Sequence, residues 1–399
     1  MSLRTQAQRH NELVRRRLDT LVPKLLNETQ IDCWVLISRE YAEDPVLATM
    51  LPAEWMSARR RTILVLTANE RVAVSRYPVG DLFASAWYPD LQHDQWKRLV
   101  QLLQDIDPVR IGVGMSHVQA HADGLTATEY NALLANLTDD LRNRIVPGGL
   151  LGVRWLETRL PEERSVLIEA TQEAHSILRR GLSTDAVTPG LTTTEDLVWW
   201  YRQEVADAGL TTWFHPTVTV QRANDDTNST ILQGDFVHVD FGIMYREMCT
   251  DQQEHAYVLD RGEATAPQGL QDGIREANRA QDIVLSNFIE GHTGNEILAN
   301  SLHQCRAEGL DATIYTHSIG YHGHGAGMTI GLWDQQSGIP GVGDHVLHTD
   351  TAYSIELMVR AMVTEWGEAT VRFMVEQDAW FDGDTATWLD GRQEEPWLI

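Results

Sequence analysis

The feature that most constrains the fold is a pattern that occurs twice, about a hundred residues apart. In the first copy a helix from Pro161 to about Arg180 leads into Gly190-Leu-Thr192-Thr-Thr-Glu195, then a helix ending near Ala208-Gly209-Leu210. In the second, a helix over roughly 269–288 leads into Gly291-His-Thr293-Gly-Asn-Glu296, then a helix ending near Glu308-Gly309-Leu310. Both copies carry Thr-x-x-Glu, a capping box in which the two side chains satisfy each other's free backbone N–H groups. Both close on Gly, which accepts the left-handed conformation at a helix C-terminus. Pro161 suits a first helical turn, because it lacks only an N–H that would be unpaired there. β-type sequence follows each copy. The matched order and spacing predict an internal duplication: two α+β halves facing one another across a shared sheet. Chance recurrence of a common cap is the alternative.

Ahead of the duplication the grammar differs. Residues 3–28 read as a helix, 33–38, 62–67, 72–77 and 111–115 as short strands, and 94–106 as a further helix. Strands alternating with helices predict an α/β domain over about 1–150. Pro147-Gly-Gly-Leu-Leu-Gly152 reads as a boundary, giving domains over 1–155 and 156–399. A chain of 399 residues is too long for one ordinary domain, and 43% hydrophobic residues suffice for a sizeable core.

Acidic residues outnumber basic ones 57 to 32, a net charge of −25. Such a surface repels nucleic acid and anionic membranes, which excludes those partners. Cys33, Cys249 and Cys305 are too few and too scattered for a disulfide framework, and suit a reducing compartment. The N-terminus shows no apolar signal core, and no run of about 18 apolar residues occurs. A cytoplasmic protein is expected.

Four segments carry candidate chemistry. In Gly234-Asp-Phe-Val-His-Val-Asp240-Phe-Gly242, alternation puts Phe236, His238 and Asp240 on one strand face and Val237, Val239 and Phe241 on the other. Asp251 follows eleven residues later. A hairpin turning around 245–246 would bring both carboxylates onto adjacent strands, where they repel unless a cation sits between them; solvated turn aspartates are the bland alternative. The second segment, Tyr315-Thr-His317-Ser-Ile-Gly320-Tyr-His322-Gly-His324-Gly-Ala-Gly327, interleaves three histidines with glycines. Glycines let backbone and rings approach closely, and neutral imidazole is a common metal ligand. Tyr353-Ser-Ile-Glu356 and Val371-Arg372-Phe-Met-Val-Glu376-Gln-Asp378 each place a Glu in an apolar strand-like run, where a carboxylate needs a partner. Together these give Asp, Asp, His, Glu, Glu, a set able to hold two divalent cations in a hydrolytic site. One imidazole among four carboxylates favours manganese, with cobalt or zinc as alternatives.

The pattern resembles the pita-bread metallopeptidases: Xaa-Pro dipeptidase (prolidase), aminopeptidase P and, more distantly, methionine aminopeptidase, with creatinase as a non-peptidase relative. Motifs carry the resemblance in the C-terminal domain; in the N-terminal domain only the layout does, and it is that of the prolidase, aminopeptidase P and creatinase branch. The resemblance implies duplicated α+β halves around a curved antiparallel sheet, behind a smaller α/β domain serving substrate access or oligomerisation. It implies that Asp240, Asp251, His317, Glu356 and Glu376 bind two metals and that short peptides are hydrolysed there. It further implies Glu356 as proton relay, His324 as a catalytic hydrogen-bond donor and Arg372 as a binder of the peptide carboxylate. A rival register, reading Gly323-His324-Gly-Ala-Gly327 as the family's Gly-His-Gly-x-Gly, makes His324 the ligand instead. His322 and His238 stand as shell residues or bystanders. Relatives of this layout are usually dimers.

Three departures from the family pattern bear on specificity. Gly325, not an acidic residue, follows His324. The stretch 221–230, matching a substrate-facing loop, has no histidine, and only His215 lies further upstream. Arg372 stands four residues before the last glutamate, not two. These put in doubt the proline requirement and which peptide end is read. The 13 tryptophans include Trp155, Trp199, Trp200 and Trp213 near the inferred junction and cleft, and Trp333 after the His/Gly loop, as core or as substrate wall. The competing classes are a peptidase without proline preference or reading the carboxy terminus, a metal-free creatinase-like amidinohydrolase, and a catalytically inactive binding protein.

Overall fold

The computed structural model describes residues 2–223 and 228–399. The chain divides into two compact units, Met1–Leu156 and Glu157–Ile399. In the Pro147–Gly152 stretch a short strand, Ile145–Pro147, ends and a helix, Gly149–Glu157, begins.

The N-terminal unit is built on a six-stranded mixed sheet. Its strands run in the spatial order Ala84–Ser85, Arg71–Ser75, Arg61–Leu66, Cys33–Arg39, Ile111–Val113, Ile145–Pro147. Val35, Ile37, Ile63 and Val65 pack with Leu99 and Leu103 of the helix Gln95–Ile106 in its core. The first helix, Leu3–Thr29, buries Val14, Leu18, Leu21, Val22, Leu25 and Leu26, a stripe at helical spacing.

In the C-terminal unit both copies of the predicted pattern are present. Helices α1 (Pro161–Gly181) and α2 (Thr194–Asp207) precede strands β1 (Thr217–Gln221), β2 (Phe236–Phe241) and β3 (Gln252–Tyr257). Helices α3 (Gln268–Ser286) and α4 (Gly294–Ala307) precede β4 (Asp311–Ile314), β5 (Thr316–Ser318), β6 (Thr329–Ile330), β7 (Thr351–Val363) and β8 (Ala369–Phe381). The strands form one sheet in the order β6-β5-β7-β8-β3-β2-β1, with β4 also on β7. Short strands at Ala386–Trp388 and Trp397–Leu398 pair with β8 and β3.

Each helix pair covers its own half of the sheet. Val237, Val239 and Phe241 of β2 pack with Ile177 and Leu178 of α1 and Leu197 and Tyr201 of α2. Ile355, Leu357 and Val359 of β7, with Phe373 of β8, pack with Leu270 and Ile274 of α3 and Ile297 and Leu298 of α4. Alternation along the strands leaves the opposite positions free for polar side chains.

Two local expectations are corrected. The box at Thr293 and Glu296 forms as read, but in the first copy it lies one residue on: Thr193 Oγ1 accepts the Asp196 N–H at 3.1 Å and Asp196 accepts the Thr193 N–H at 2.9 Å. Thr192 is occupied otherwise, its hydroxyl accepting the Thr188 N–H at 2.9 Å. The hairpin between Met244–Tyr245 and Met248–Cys249 turns at Arg246 and Glu247, not at 245–246. Both turn residues have positive φ, 47° and 69°, as a two-residue turn matched to the strand twist requires.

Candidate metal centre

Strand register lines up the acidic residues. Asp240 on β2 faces Gln253 on β3, Gln253 faces Glu376 on β8, and Glu376 faces Glu356 on β7. Directly paired residues project from the same sheet face, so four side chains form a row across three strand pairs. Asp251, two residues from Gln253, shares that side; so does His317, whose partner Ser354 is two residues from Glu356. Three overlapping groups result: Asp240 with Asp251 and Glu376, His317 with Glu356 and Glu376, and Asp251 with His317 and His324. Within each, potential ligand atoms lie within 4.8 Å of one another.

The imidazole of His317 is aimed into the carboxylates. Its Nε2 lies 3.4 Å from Glu376, 3.7 Å from Asp251 and 3.9 Å from Glu356. Its Nδ1 lies 3.1 Å from the Ser318 carbonyl, which favours the tautomer with Nδ1–H donating and the Nε2 lone pair free. Nε2 of His317 and Oδ1 of Asp251 are buried without a hydrogen-bond partner. Leaving such atoms unsatisfied costs about 1–3 kcal/mol each. Burial, and next the nearby Glu376 charge, hold the carboxyls of Asp240, Asp251 and Glu356 well above the ordinary range. Crowded, desolvated carboxylates around a free imidazole nitrogen fit divalent cations, since bound positive charge removes both penalties.

A shell of amides and hydroxyls orients the row. The Gln253 amide N–H groups donate to Glu356 at 2.5 Å and Glu376 at 2.8 Å, while its oxygen lies 2.9 Å from His238 Nε2. Burial pushes the His238 imidazole down to about 4, so it is neutral near pH 7 and Nε2–H donates to Gln253. Ser354 Oγ–H donates to Glu376 at 2.8 Å. Asp378 accepts from the Asp251 N–H at 3.3 Å and from Gln252 at 2.6 Å. Gln253 and Asp378 were not singled out from sequence. The signal was available: each lies two residues from an acidic member of the row, hence on its face.

The His/Gly loop carries His324 beside the row. Its ring sits 4.7 Å from that of His317 and 5.2 Å, edge-on, from Trp213. Trp213 is wedged in place, its Nε1–H donating to Thr250 O at 2.9 Å. A Cβ on Gly323 would lie 2.1 Å from the indole, so only glycine fits that position; a Cβ on Gly320 would likewise lie 2.2 Å from the Arg159 guanidinium.

Other candidates lie outside the three groups. Arg372 is exposed on the face of Glu376, about 13 Å away along β8 at 3.3 Å per residue. Its charge still reaches His238 as a minor depressing influence. His322 is half-buried, and His215 packs against Trp199 at 5.4 Å. Residues 224–227 of the stretch read as a substrate-facing loop lie outside the described residues. The tryptophans do not form one wall. Trp155 is fully buried beside Trp34 in the N-terminal unit, Trp199 and Trp333 are exposed, and Trp213 touches a residue of the His/Gly loop that reaches the row.

The chain resembles solved structures along nearly its whole length. X-Pro aminopeptidase from Thermotoga maritima MSB8 superposes with a TM-score of 0.66 at 14% identity, over 93% of this chain and 98% of that one. Xaa-Pro dipeptidase from Bacillus anthracis gives 0.65 at 17%, over 98% and 100%. The N-terminal domain of the FACT complex subunit SPT16 from Cicer arietinum gives 0.61 at 10%, over 95% and 96%. At such identities the likeness establishes the pita-bread fold. Among curated protein sequences, none matches the chain. The sequence model of metallopeptidase family M24, by contrast, matches residues 167–376, just over half the chain, from within α1 to Glu376. The chain therefore belongs to metallopeptidase family M24, a family of metal-dependent peptidases.

Proposed function

We propose that this peptidase hydrolyses short Xaa-Pro peptides at a two-metal centre held by Asp240, Asp251, His317, Glu356 and Glu376, with manganese as the preferred ion. The observation that most supports the metal assignment is the buried, unpartnered Nε2 of His317 aimed at three carboxylates. The Xaa-Pro assignment is supported by the kind of protein that shares the fold, an X-Pro aminopeptidase and an Xaa-Pro dipeptidase among them. Asp251, His317 and Glu376 each belong to two of the three groups; of these the carboxylates, with two oxygens each, would be shared by the ions, while Asp240 would hold one and His317 and Glu356 the other.

Bound divalent cations supply Lewis acidity and lower the pKa of water. The protein's part is orientation and proton handling. Glu356, held in orientation by the Gln253 amide, would accept a proton from the attacking water and pass it to the leaving amine. His324 would donate a hydrogen bond to the carbonyl oxygen as it gains charge, its ring held by Trp213. His238, neutral, fixes Gln253, which in turn fixes Glu356 and Glu376. Arg372 would take the free peptide carboxylate through its fork of N–H donors. An exposed cation about 13 Å along the strand from Glu376 favours a reader of the carboxy terminus as the second reading. On fold analogy alone we also expect a cytoplasmic homodimer, with the N-terminal unit as contact surface and substrate gate.

The test is to incubate metal-stripped protein, with and without manganese, with Xaa-Pro dipeptides, Xaa-Pro-Xaa tripeptides and proline-free peptides, free or blocked at either end, and to identify products by mass. Manganese-dependent cleavage of the Xaa-Pro peptides alone is expected. Blocking the carboxy terminus should abolish cleavage if Arg372 binds it, and Arg372→Ala should then raise KM about tenfold or more. Equal cleavage of proline-free peptides would overturn the Xaa-Pro assignment.

A further inference from the structure

A second group of metal-ligating side chains lies outside the row. Glu157, His345 and His348 each offer a ligand atom, all within 4.8 Å of one another. Both carboxylate oxygens of Glu157 lie close to His345 Nε2, at 3.0 and 2.9 Å, and the His345 and His348 rings are 5.5 Å apart. None of the three belongs to the groups around Glu376.

All three side chains belong to the C-terminal unit. Glu157 is its first residue and is buried. The segment carrying the histidines is stitched to the loop before α4: Gly294 N–H donates to His345 O, Leu347 N–H to His292 O and Gly291 N–H to Leu347 O. Thr351 Oγ1–H donates to His348 O at 2.7 Å. The Arg159 N–H donates to Asp350 O at 2.9 Å, tying the chain just past Glu157 to the chain just past His348. His345 and His348 are only partly buried, which leaves a path from solvent.

The chemistry of this set differs from that of the row. Two imidazoles and one carboxylate form a nitrogen-rich, borderline donor set, the composition of three-ligand zinc sites whose fourth position is open. Ligands at about 2.0–2.2 Å from a tetrahedral ion stand roughly 3.3 Å apart, a spacing that Glu157 and His345 approach at 2.9–3.0 Å and that the 4.8 Å limit on the whole group brings within reach of His348.

We propose that Glu157, His345 and His348 form an additional divalent-cation site of zinc type, separate from the peptidase centre. The site is placed to stiffen the His/Gly loop. A Cβ on Gly327 would lie 2.8 Å from a Glu157 carboxylate oxygen and 2.4 Å from Ser318 Oγ, so the carboxylate rests against the loop, beside the residue next to His317. A cation holding Glu157 would thus hold the floor under His317 and His324.

The test uses the full-length protein, stripped of metal, loaded with zinc alone and desalted, with bound zinc counted by mass spectrometry. The His345→Ala/His348→Ala double variant should bind one zinc fewer per chain than wild type. A second variant, Asp251→Asn/Glu376→Gln, disables the peptidase centre and should retain one zinc, with an X-ray absorption shell showing two imidazoles. Glu157→Gln, which preserves shape, should lose the same equivalent as the histidine pair. Equal zinc counts in wild type and the folded histidine variant would overturn the proposal. So would a Asp251→Asn/Glu376→Gln protein that binds no zinc, whichever way the histidine variant folds.

Discussion

Two buried carboxylate sites, one in each unit, are built in opposite ways. In the N-terminal unit Asp44 is held by a helix terminus. Its Oδ1 caps the short helix Pro45–Ala48, accepting the Val46 and Leu47 N–H groups at 2.8 and 3.1 Å, while Oδ2 is buried without a hydrogen-bond partner. Burial pushes its carboxyl up to about 6, the capping bonds opposing the shift. In the C-terminal unit Asp240, Asp251 and Glu356 are also raised by burial, but there further carboxylates crowd in, and an unpartnered imidazole nitrogen faces them. A helix terminus is enough to hold one buried carboxyl. Four carboxylates on one sheet face repel one another unless protons or a cation neutralise them. The first arrangement serves a local fold, and the second carries an energetic demand that the proposed metal would meet.

The largest effect that would sharpen this contrast is catalytic. His324→Ala should lower kcat by about 10²–10³, with KM and metal content nearly unchanged, if the ring supplies one hydrogen bond to the developing oxyanion. Lost metal would instead make His324 a ligand, the rival register. Next comes metal-linked stability. Asp240, Asp251 and Glu356 have raised folded pKa values, so the stability they lend the metal-free protein is present below about pH 4 and is lost as pH rises. Manganese at about 100 times its Kd should add roughly 2.7 kcal/mol near pH 7, measured by urea unfolding, and the gain should vanish in Glu376→Gln.

Asp44 should follow the same sign without any metal response. Its folded pKa of about 6 exceeds the ordinary 3.8, so its contribution is full below pH 3.8 and lost as pH rises through 6. Between pH 4 and pH 7, Asp44→Asn should therefore gain roughly 1–3 kcal/mol relative to wild type. A difference independent of pH would mean that Asp44 titrates as an ordinary carboxylate, and the contrast between the units would fail. The smallest effect concerns the duplicated caps: Thr193→Ala and Thr293→Ala should each cost about 1 kcal/mol. Thr192→Ala should cost less than Thr193→Ala, because Thr192 serves a loop N–H instead of the helix box.

Much of the centre was legible because its signals are local. Asp240 and Asp251 share a hairpin, and Glu356 and Glu376 sit in strands whose apolar neighbours announce a buried back face. The caps at Thr293 and the closing glycines were readable for the same reason. The Thr193 box slipped by one residue because Thr-Thr-Thr-Glu-Asp offers two equivalent boxes, and the choice rests on which threonine the Thr188 N–H claims. Gln253 was missed because an amide announces no chemistry until its neighbours are known, and those neighbours, Glu356 and Glu376, lie more than a hundred residues away.

By itself the sequence determined what depends on spacing along one segment: two matched helix pairs, strand faces of alternating character, a hairpin with a carboxylate at each end, and a glycine-spaced histidine loop. Period-two alternation and helix capping act over a few residues, so composition and order suffice to state them. Tertiary structure alone decided which strands pair and in what register. That register makes Asp240, Gln253, Glu376 and Glu356 one row, and chain packing brings Glu157 to His345 and His348 across nearly two hundred residues. Register depends on how two distant apolar faces bury against their helices at once, and a shift of one residue would have turned the shifted strand's side chains to the opposite face.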